Sequence, residues 1–213
     1  LGGQIVIAGM TAIHSFPLDL QLVGDLVKRV RVLVLWFDLP WHGRKPEFER
    51  LISQCGQHLE AVIYLLSKSP WSPGTFREPQ LRALDEIRPD YVLQPDSDET
   101  FGPGFETDLA NFETSGRDLM LFGYDMPTED GAWVPTQPKS PHCKVFRWRQ
   151  GLAFTPYRGY AQPTGLHSVY HATSRMQHYC CWTPEIQRAM LHKSTLQPSQ
   201  RDYWGQRRPR GAG

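Results

Sequence analysis

Tyr91-Val92-Leu93-Gln94-Pro95-Asp96-Ser97-Asp98-Glu99 is a short apolar run that ends in three carboxylates within four residues. Such a run predicts a strand whose end delivers acid groups to a site. Carboxylates this crowded repel one another and resist burial, so a strand's end keeps them chiefly where water or a hard cation neutralises their charge. A solvated turn and a divalent-metal site are the two readings. Upstream, Leu81, Leu84 and Ile87 recur on one helical face, and Arg88-Pro89-Asp90 breaks that helix before the strand begins. Downstream, Phe101-Gly102-Pro103-Gly104-Phe105 turns the chain, and Glu106 to Phe112 can resume as a helix.

Three earlier runs, Gln4 to Ala8, Val32 to Phe37 and Ala61 to Leu66, are short, β-branched in part, and separated by amphipathic stretches of helical length. Leu18, Leu22, Leu26 and Val30 mark the first helical face; Phe48, Leu51 and Ile52 mark the second, inside Pro46 to Leu59. With Tyr91 to Leu93 as a fourth strand, the first hundred residues predict a doubly wound nucleotide-binding half with ligands at the strands' carboxyl ends. No Gly-x-Gly-x-x-Gly or phosphate-loop motif occurs, which argues against a dinucleotide enzyme or a phosphate-loop nucleotidase. From Leu119 to Pro163 the pattern changes to short strands broken by Pro and Gly, including Leu119 to Tyr124 and Lys144 to Trp148. Glu185 to His192 fits a last helix, and residues 197–213, with Arg207-Arg208-Pro209-Arg210, predict a mobile basic tail.

The order helix, strand, acidic turn, helix resembles the metal-binding core of family 2 glycosyltransferases and their relatives, which have the GT-A fold. In them the segment reads strand, Asp-x-Asp-Glu, turn and helix. The resemblance continues at Ser140-Pro141-His142-Cys143-Lys144-Val145-Phe146-Arg147, at Gly151-Leu152-Ala153-Phe154, and at Gln177-His178-Tyr179 with Thr183-Pro184-Glu185 after it. It implies one α/β domain of GT-A type over residues 1–196, with a mixed central sheet flanked by helices. Residues 1–100 would bind the nucleotide sugar and residues 101–196 the acceptor.

The activity so implied is metal-dependent transfer of a sugar from a nucleotide-diphosphate sugar, a UDP-sugar first, to an acceptor hydroxyl. Mn²⁺ or Mg²⁺ bridging the phosphates would stabilise the departing diphosphate. The resemblance favours Asp98 for direct coordination and Asp96 for ribose or water-mediated contact, with Glu99 orienting the turn. It matches His178 to the late histidine that completes the metal site, with His171 as rival. Asp38 and Arg77 fall where relatives hold the nucleotide, although Asp38 could instead cap a helix entered after Pro40. The usual Asn-Glu pair after the first strand is absent; Met10-Thr11-Ala12-Ile13-His14 stands there. An inverting enzyme needs a carboxylate base for the acceptor hydroxyl. Asp125, Glu129 and Asp130 are the candidates, with Asp125 preferred narrowly over Asp130.

At 213 residues and 40% hydrophobic content the chain suits one compact domain. No apolar run reaches the length of a transmembrane helix, and Leu1-Gly2-Gly3 opens no signal peptide, so a soluble protein is expected. Cys55, Cys143, Cys180 and Cys181 show no paired spacing, which fits a reducing cytoplasm. His171, His178, Cys180 and Cys181 match no standard zinc finger or ribbon.

The net charge of +1 hides an uneven distribution. Residues 1–130 carry 11 Lys/Arg against 20 Asp/Glu, and residues 131–213 carry 12 against 2. If the halves stay apart after folding, a positive face would meet a polyanion. Lys144, Arg147, Arg149 and Arg158, lying among Phe146, Trp148, Phe154 and Tyr157, provide the mixture of cations and rings that nucleic-acid sites use. A hydroxymethylated base in DNA, flipped from its stack, is therefore one acceptor reading. A cell-envelope glycan or lipid-linked sugar is the other. A nucleotidyltransferase would usually show a Gly-rich basic loop after the first strand, and none is present. A non-catalytic nucleic-acid-binding module leaves the acidic turn without a task.

Overall fold

The computed structural model describes residues 5–13, 19–68, 76–127, 132–136, 142–157 and 160–179. The expected last helix at Glu185 to His192 and the basic tail lie outside them. The first half alternates strand and helix: β1 (Ile7–Ile13), α1 (Asp19–Val27), β2 (Val32–Phe37), α2 (Lys45–Cys55), β3 (Ala61–Leu66), α3 (Arg77–Asp85) and β4 (Tyr91–Leu93). Beyond the acidic turn come β5 (Glu99–Phe101), α4 (Phe105–Ser115), β6 (Leu119–Pro127), β7 (Trp133–Thr136), β8 (His142–Arg147), β9 (Phe154–Tyr157), β10 (Tyr160–Pro163) and β11 (Val169–His178).

Among the described residues nine strands form one mixed sheet in the order β3-β2-β1-β4-β8-β6-β11-β5, with β7 against β6. The first four pair in parallel. β8 then runs antiparallel to both β4 and β6, β6 pairs in parallel with β11, and β11 antiparallel with β5. A hairpin of β9 and β10 stands apart. The described strands β1–β4 thus share one sheet with β5–β8 and β11, joined where β4 meets β8.

Local sequence explains the parallel half. Every residue of β2 is buried, as a central strand covered on both faces requires. α1 turns Leu22, Val23, Leu26 and Val27 inward, and it lies close to β1 because Gly9 has no side chain: a Cβ there would meet Leu26 Cγ at 2.9 Å. α2 inserts Phe48 and Ile52, whose full burial is worth about 1.5–3 kcal/mol apiece. The first strand runs on to Ile13, beyond the expected Gln4 to Ala8, because Met10 to Ile13 pair with Val34 to Phe37 and are buried.

Two devices shape the second half. α4 sits between Gly104 (φ 86°) and Gly116 (φ 68°), both left-handed, where a side chain would strain the backbone. From α4 the buried Asp108 reaches an irregularity in β11, where the register with β6 shifts between His171 and Arg175. Its carboxylate accepts from Tyr170 Oη (2.9 Å), Thr173 Oγ1 (3.2 Å) and the Ser174 amide (2.6 Å). For the Ser174 amide the carboxylate thus stands in for a ladder carbonyl at the register shift. Gly102 follows β5, and its amide donates to the Arg175 carbonyl at 2.9 Å.

Candidate active site

The acidic turn lies just past the carboxyl end of β4, where doubly wound sheets bind their ligands. Three other elements converge on it. α3 opens with Arg77 and Gln80 pointing inward, and Gln80 Nε2 donates to the Thr11 carbonyl (2.7 Å), which seats the helix on β1. Arg77 Nη2 then donates to Asp96 Oδ1 at 2.8 Å. β8 delivers Lys144 because it runs antiparallel beside β4, its Lys144 carbonyl accepting from the Gln94 amide at 2.8 Å. The ammonium lies 2.6 Å from Asp96 Oδ2 and 2.7 Å from Glu99 Oε2. β11 delivers His178, whose register partner on β5 is Glu99. His178 Nε2 is 3.1 Å from Asp98 Oδ2, and the Tyr179 amide donates to the Asp98 carbonyl at 2.8 Å.

The turn is thus held from within and without. Glu99, 3% exposed, accepts the Asp96 amide at 2.8 Å. The buried Tyr124 hydroxyl bonds Glu99 as well, and the Tyr124 ring packs 5.3 Å from that of His178. Three carboxylates face one guanidinium, one ammonium and one imidazole.

Burial works against every charge here, and the pairing decides the outcome. For Asp96, burial is outweighed by Lys144 and Arg77, which hold its carboxyl well below the usual carboxylate range. Burial would lower Lys144, but Asp96 and Glu99 raise it above an ordinary lysine. The Asp98 carboxyl is lowered, because His178 more than offsets the cost of burial. His178 is raised in turn, burial being outweighed by Asp98. Glu99 goes the other way: burial dominates and pushes it up despite Lys144. The neighbouring Cys143 thiol is pushed up to about 12, chiefly by burial, which keeps it protonated and inert.

Not every residue singled out in the sequence gathers at this turn. Asp38 is fully buried at the end of β2, where its Oδ1 accepts the Leu39 amide (2.9 Å) and caps the 3-10 turn Leu39–Arg44. Asp125 ends up near Gln177 in register, and it carries an ion pair with Arg175. Strand alternation puts Asp125 on the face opposite Tyr124 and His178. Asp130, Glu129 and Arg158 lie outside the described residues. His171 is exposed, across from Leu121.

The expected acceptor face divides. Lys144 is 4% exposed and belongs to the acidic turn, so the basic half of the sequence meets the acidic half at this point. Arg147 lies three residues further along β8, about 10 Å away, paired in register with Tyr91 at the opposite end of β4. Its guanidinium covers the Tyr91 ring at 4.9 Å. Trp148 is buried, its amide bonded to the Asp90 carbonyl, and Arg149 pairs with Asp118. β8 runs antiparallel to β4, so it necessarily carries these three away from the turn. Gln80, Tyr124 and the true position of Lys144 escaped the sequence reading. For Tyr124 a signal existed, since alternation groups it with the buried Met120 and Phe122.

Asp98 Oδ2 and His178 Nε2, 3.1 Å apart as a hydrogen-bonded pair, are of ligand types that a divalent ion takes once the imidazole is neutral. Among the described residues no group of three His, Cys, Asp or Glu side chains is arranged to hold a metal. Asp96 has both oxygens engaged by Arg77 and Lys144.

No protein-family model and no curated protein matches the sequence. Among solved structures the chain is similar to S. aureus TarS, at 14% identity and a TM-score of 0.55 over 90% of this chain. Residues 1–349 of TarS give 15% identity and the same TM-score over 90% of this chain. The chain spans 39% of the length of the longer TarS structure and 65% of the shorter. The inositol-1-phosphate CTP transferase of T. maritima superposes less well, at a TM-score of 0.49 and 10% identity, covering 91% of this chain and 98% of that one. The likeness to TarS shows the fold: a mixed sheet flanked by helices, of GT-A type. Among the described residues no helix is long and apolar enough to cross a membrane.

Proposed function

We propose that the chain is a metal-dependent glycosyltransferase that takes its sugar from a nucleotide-diphosphate donor, a UDP-sugar first. The observation that carries this reading is the Asp98–His178 pair, set at the carboxyl end of β4 in a sheet of GT-A type. Asp98 and His178 would hold Mn²⁺ or Mg²⁺, which when bound supplies positive charge for the departing diphosphate. The chain's own residues prepare the place. Arg77 and Asp96 stand beside the pair and would face the nucleotide, and Asp38 ends β2, two strands along from β4. The Tyr179 amide fixes the Asp98 backbone and Tyr124 backs the His178 ring; an arriving ion would replace the proton shared by Asp98 and His178, which leaves as the imidazole becomes neutral.

An inverting transfer also needs a base for the acceptor hydroxyl; Asp125 and Asp130 are its candidates, and alternation, which turns Asp125 to the face opposite His178 and toward Arg175, favours Asp130. Replacing the true base by Asn should stop transfer while leaving metal binding intact. For the acceptor, the charge split of the sequence is what supports a polyanion such as a hydroxymethylated base in DNA; Arg147, Trp148 and Arg149 add no support at the turn. A glycan or lipid-linked sugar is the competing acceptor. Retention on DNA that weakens steeply with salt would favour the first, because phosphate contacts release counterions.

The test is direct. Purified protein incubated with a panel of nucleotide sugars should release nucleoside diphosphate when Mn²⁺ is present and not when it is chelated. Release that ignores the metal, or survives Asp98→Asn, would refute the reading.

A further inference from the structure

Lys144 is the residue whose position the proposed chemistry does not yet explain. A lysine is seldom buried unless paired, and this one is enclosed between two carboxylates of the acidic turn. Its backbone cannot retreat, since the Gln94 amide bonds its carbonyl and Val145 is in register with Leu93. Arg77, also buried, closes the other side of Asp96. Each Asp96 oxygen therefore already faces a cation, and Glu99 Oε2 is shared between the ammonium and the Asp96 amide. Asp98 stands apart: its side chain meets the imidazole of His178, itself a metal ligand when neutral.

We propose that the Lys144 ammonium is a tethered counter-ion of the acidic turn, which keeps Asp96 and Glu99 out of divalent-metal coordination and leaves Asp98 with His178 as the protein's donors. This rests on the metal reading given above. Asp96 already holds two cations and Glu99 one, so a metal ion approaching either would meet the repulsion of the fixed ammonium. A covalently attached ammonium is always present, so an incoming Mn²⁺ is directed to the one acid the lysine does not reach. Lys144 is thus a positioning residue: it acts on the metal through the carboxylates it occupies.

Mn²⁺ alone, titrated into the full chain without nucleotide and followed by its electron paramagnetic resonance signal, tests this. Asp98→Asn should weaken binding by roughly tenfold or more, whereas Asp96→Asn should change it by less than about threefold. Lys144→Met should tighten binding by roughly tenfold, since the freed acids then attract the ion, and the gain should vanish in Lys144→Met combined with Asp96→Asn. Lys144→Arg, which retains the charge, should stay near the wild-type affinity. If Lys144→Met does not fold, the contrast between Asp96→Asn and Asp98→Asn decides. Equal losses in those two, no tightening in a folded Lys144→Met, or no Mn²⁺ bound by the folded wild type would overturn the proposal. Because no sugar donor is present, a protein that shows the expected order but hydrolyses no donor refutes the transferase reading alone. One that hydrolyses donor with the order reversed refutes the role of Lys144 alone.

Discussion

Asp108 and the acidic turn both bury carboxylate in this molecule, by opposite means. Asp108 stands alone among neutral donors, two hydroxyls and a backbone amide from one bulged segment of β11. Asp96, Asp98 and Glu99 are answered by charged or chargeable groups from α3, β8 and β11. A lone carboxylate can be satisfied by dipoles, which are cheap to supply from nearby chain. Three acids within four residues repel one another too strongly for that, so the fold must bring cations from distant elements. The first arrangement has a single state and holds a bulge in place. The second gathers charged groups from three elements at the carboxyl end of β4, and it is where the proposed metal chemistry would take place.

The sharpest way to break this contrast is to replace one residue on each side of it. Asp98→Asn should cost at least the roughly 100-fold that losing even a supporting partner can cost at a metal site, measured as Mn²⁺-dependent release of nucleoside diphosphate, with little change in melting temperature. Asp108→Ala should do the reverse. Leaving the Ser174 amide and two hydroxyls without their acceptor should cost about 2–4 kcal/mol in denaturant unfolding, while the folded fraction retains its metal affinity.

Acid sharpens the same comparison. Burial alone would raise Asp108, but its bonds from Ser174, Thr173 and Tyr170 outweigh it, so the folded carboxyl ionises below the usual range. An unfolded aspartate titrates near 3.9. Below about that pH the unfolded chain binds more protons, so the contribution of Asp108 is whole above about pH 4 and is lost as pH falls toward the folded value. Asp108→Asn should therefore flatten the fall of melting temperature with acid on that side. The smallest effect belongs to Arg149→Ala. Arg149 pairs with Asp118, but its side chain is 54% exposed, and Asp118 keeps bonds from Ser168 Oγ (2.9 Å) and the His167 amide. Loss of so exposed a pair should shift stability by about 0.5 kcal/mol or less.

What was legible in the sequence follows the same division. β2 and β3 were readable to the residue, because unbroken apolar runs bounded by polar residues have few other uses. The acidic turn and the helices beside it were readable as well, since their signals are local. β1 extends beyond the expected Gln4 to Ala8: Gly9, Met10 and Ala12 have weak strand preference, and pairing with Leu33 to Trp36 of β2 makes the segment a strand. β11 went unread because Val169–His178 is largely polar and contains the bulge that Asp108 holds. Within the site, Lys144 was assigned to a surface because lysines usually belong there. Its contact with Asp96 spans 48 residues of sequence and exists only because β8 lies beside β4. Periodicity carries no record of such a meeting.

The register between β5 and β11 has a bearing on how the gene can change. His178 lies opposite Glu99, and side chains on a strand alternate between faces. A codon lost between Arg175 and His178 would turn the imidazole to the far face of the sheet even though every acid stayed in place. A codon lost from a connecting loop would spare it. Length variants that retain the imidazole should therefore accumulate outside that ladder, and the stretch from Arg175 to Tyr179 should be the least forgiving of insertion or deletion in the chain's second half.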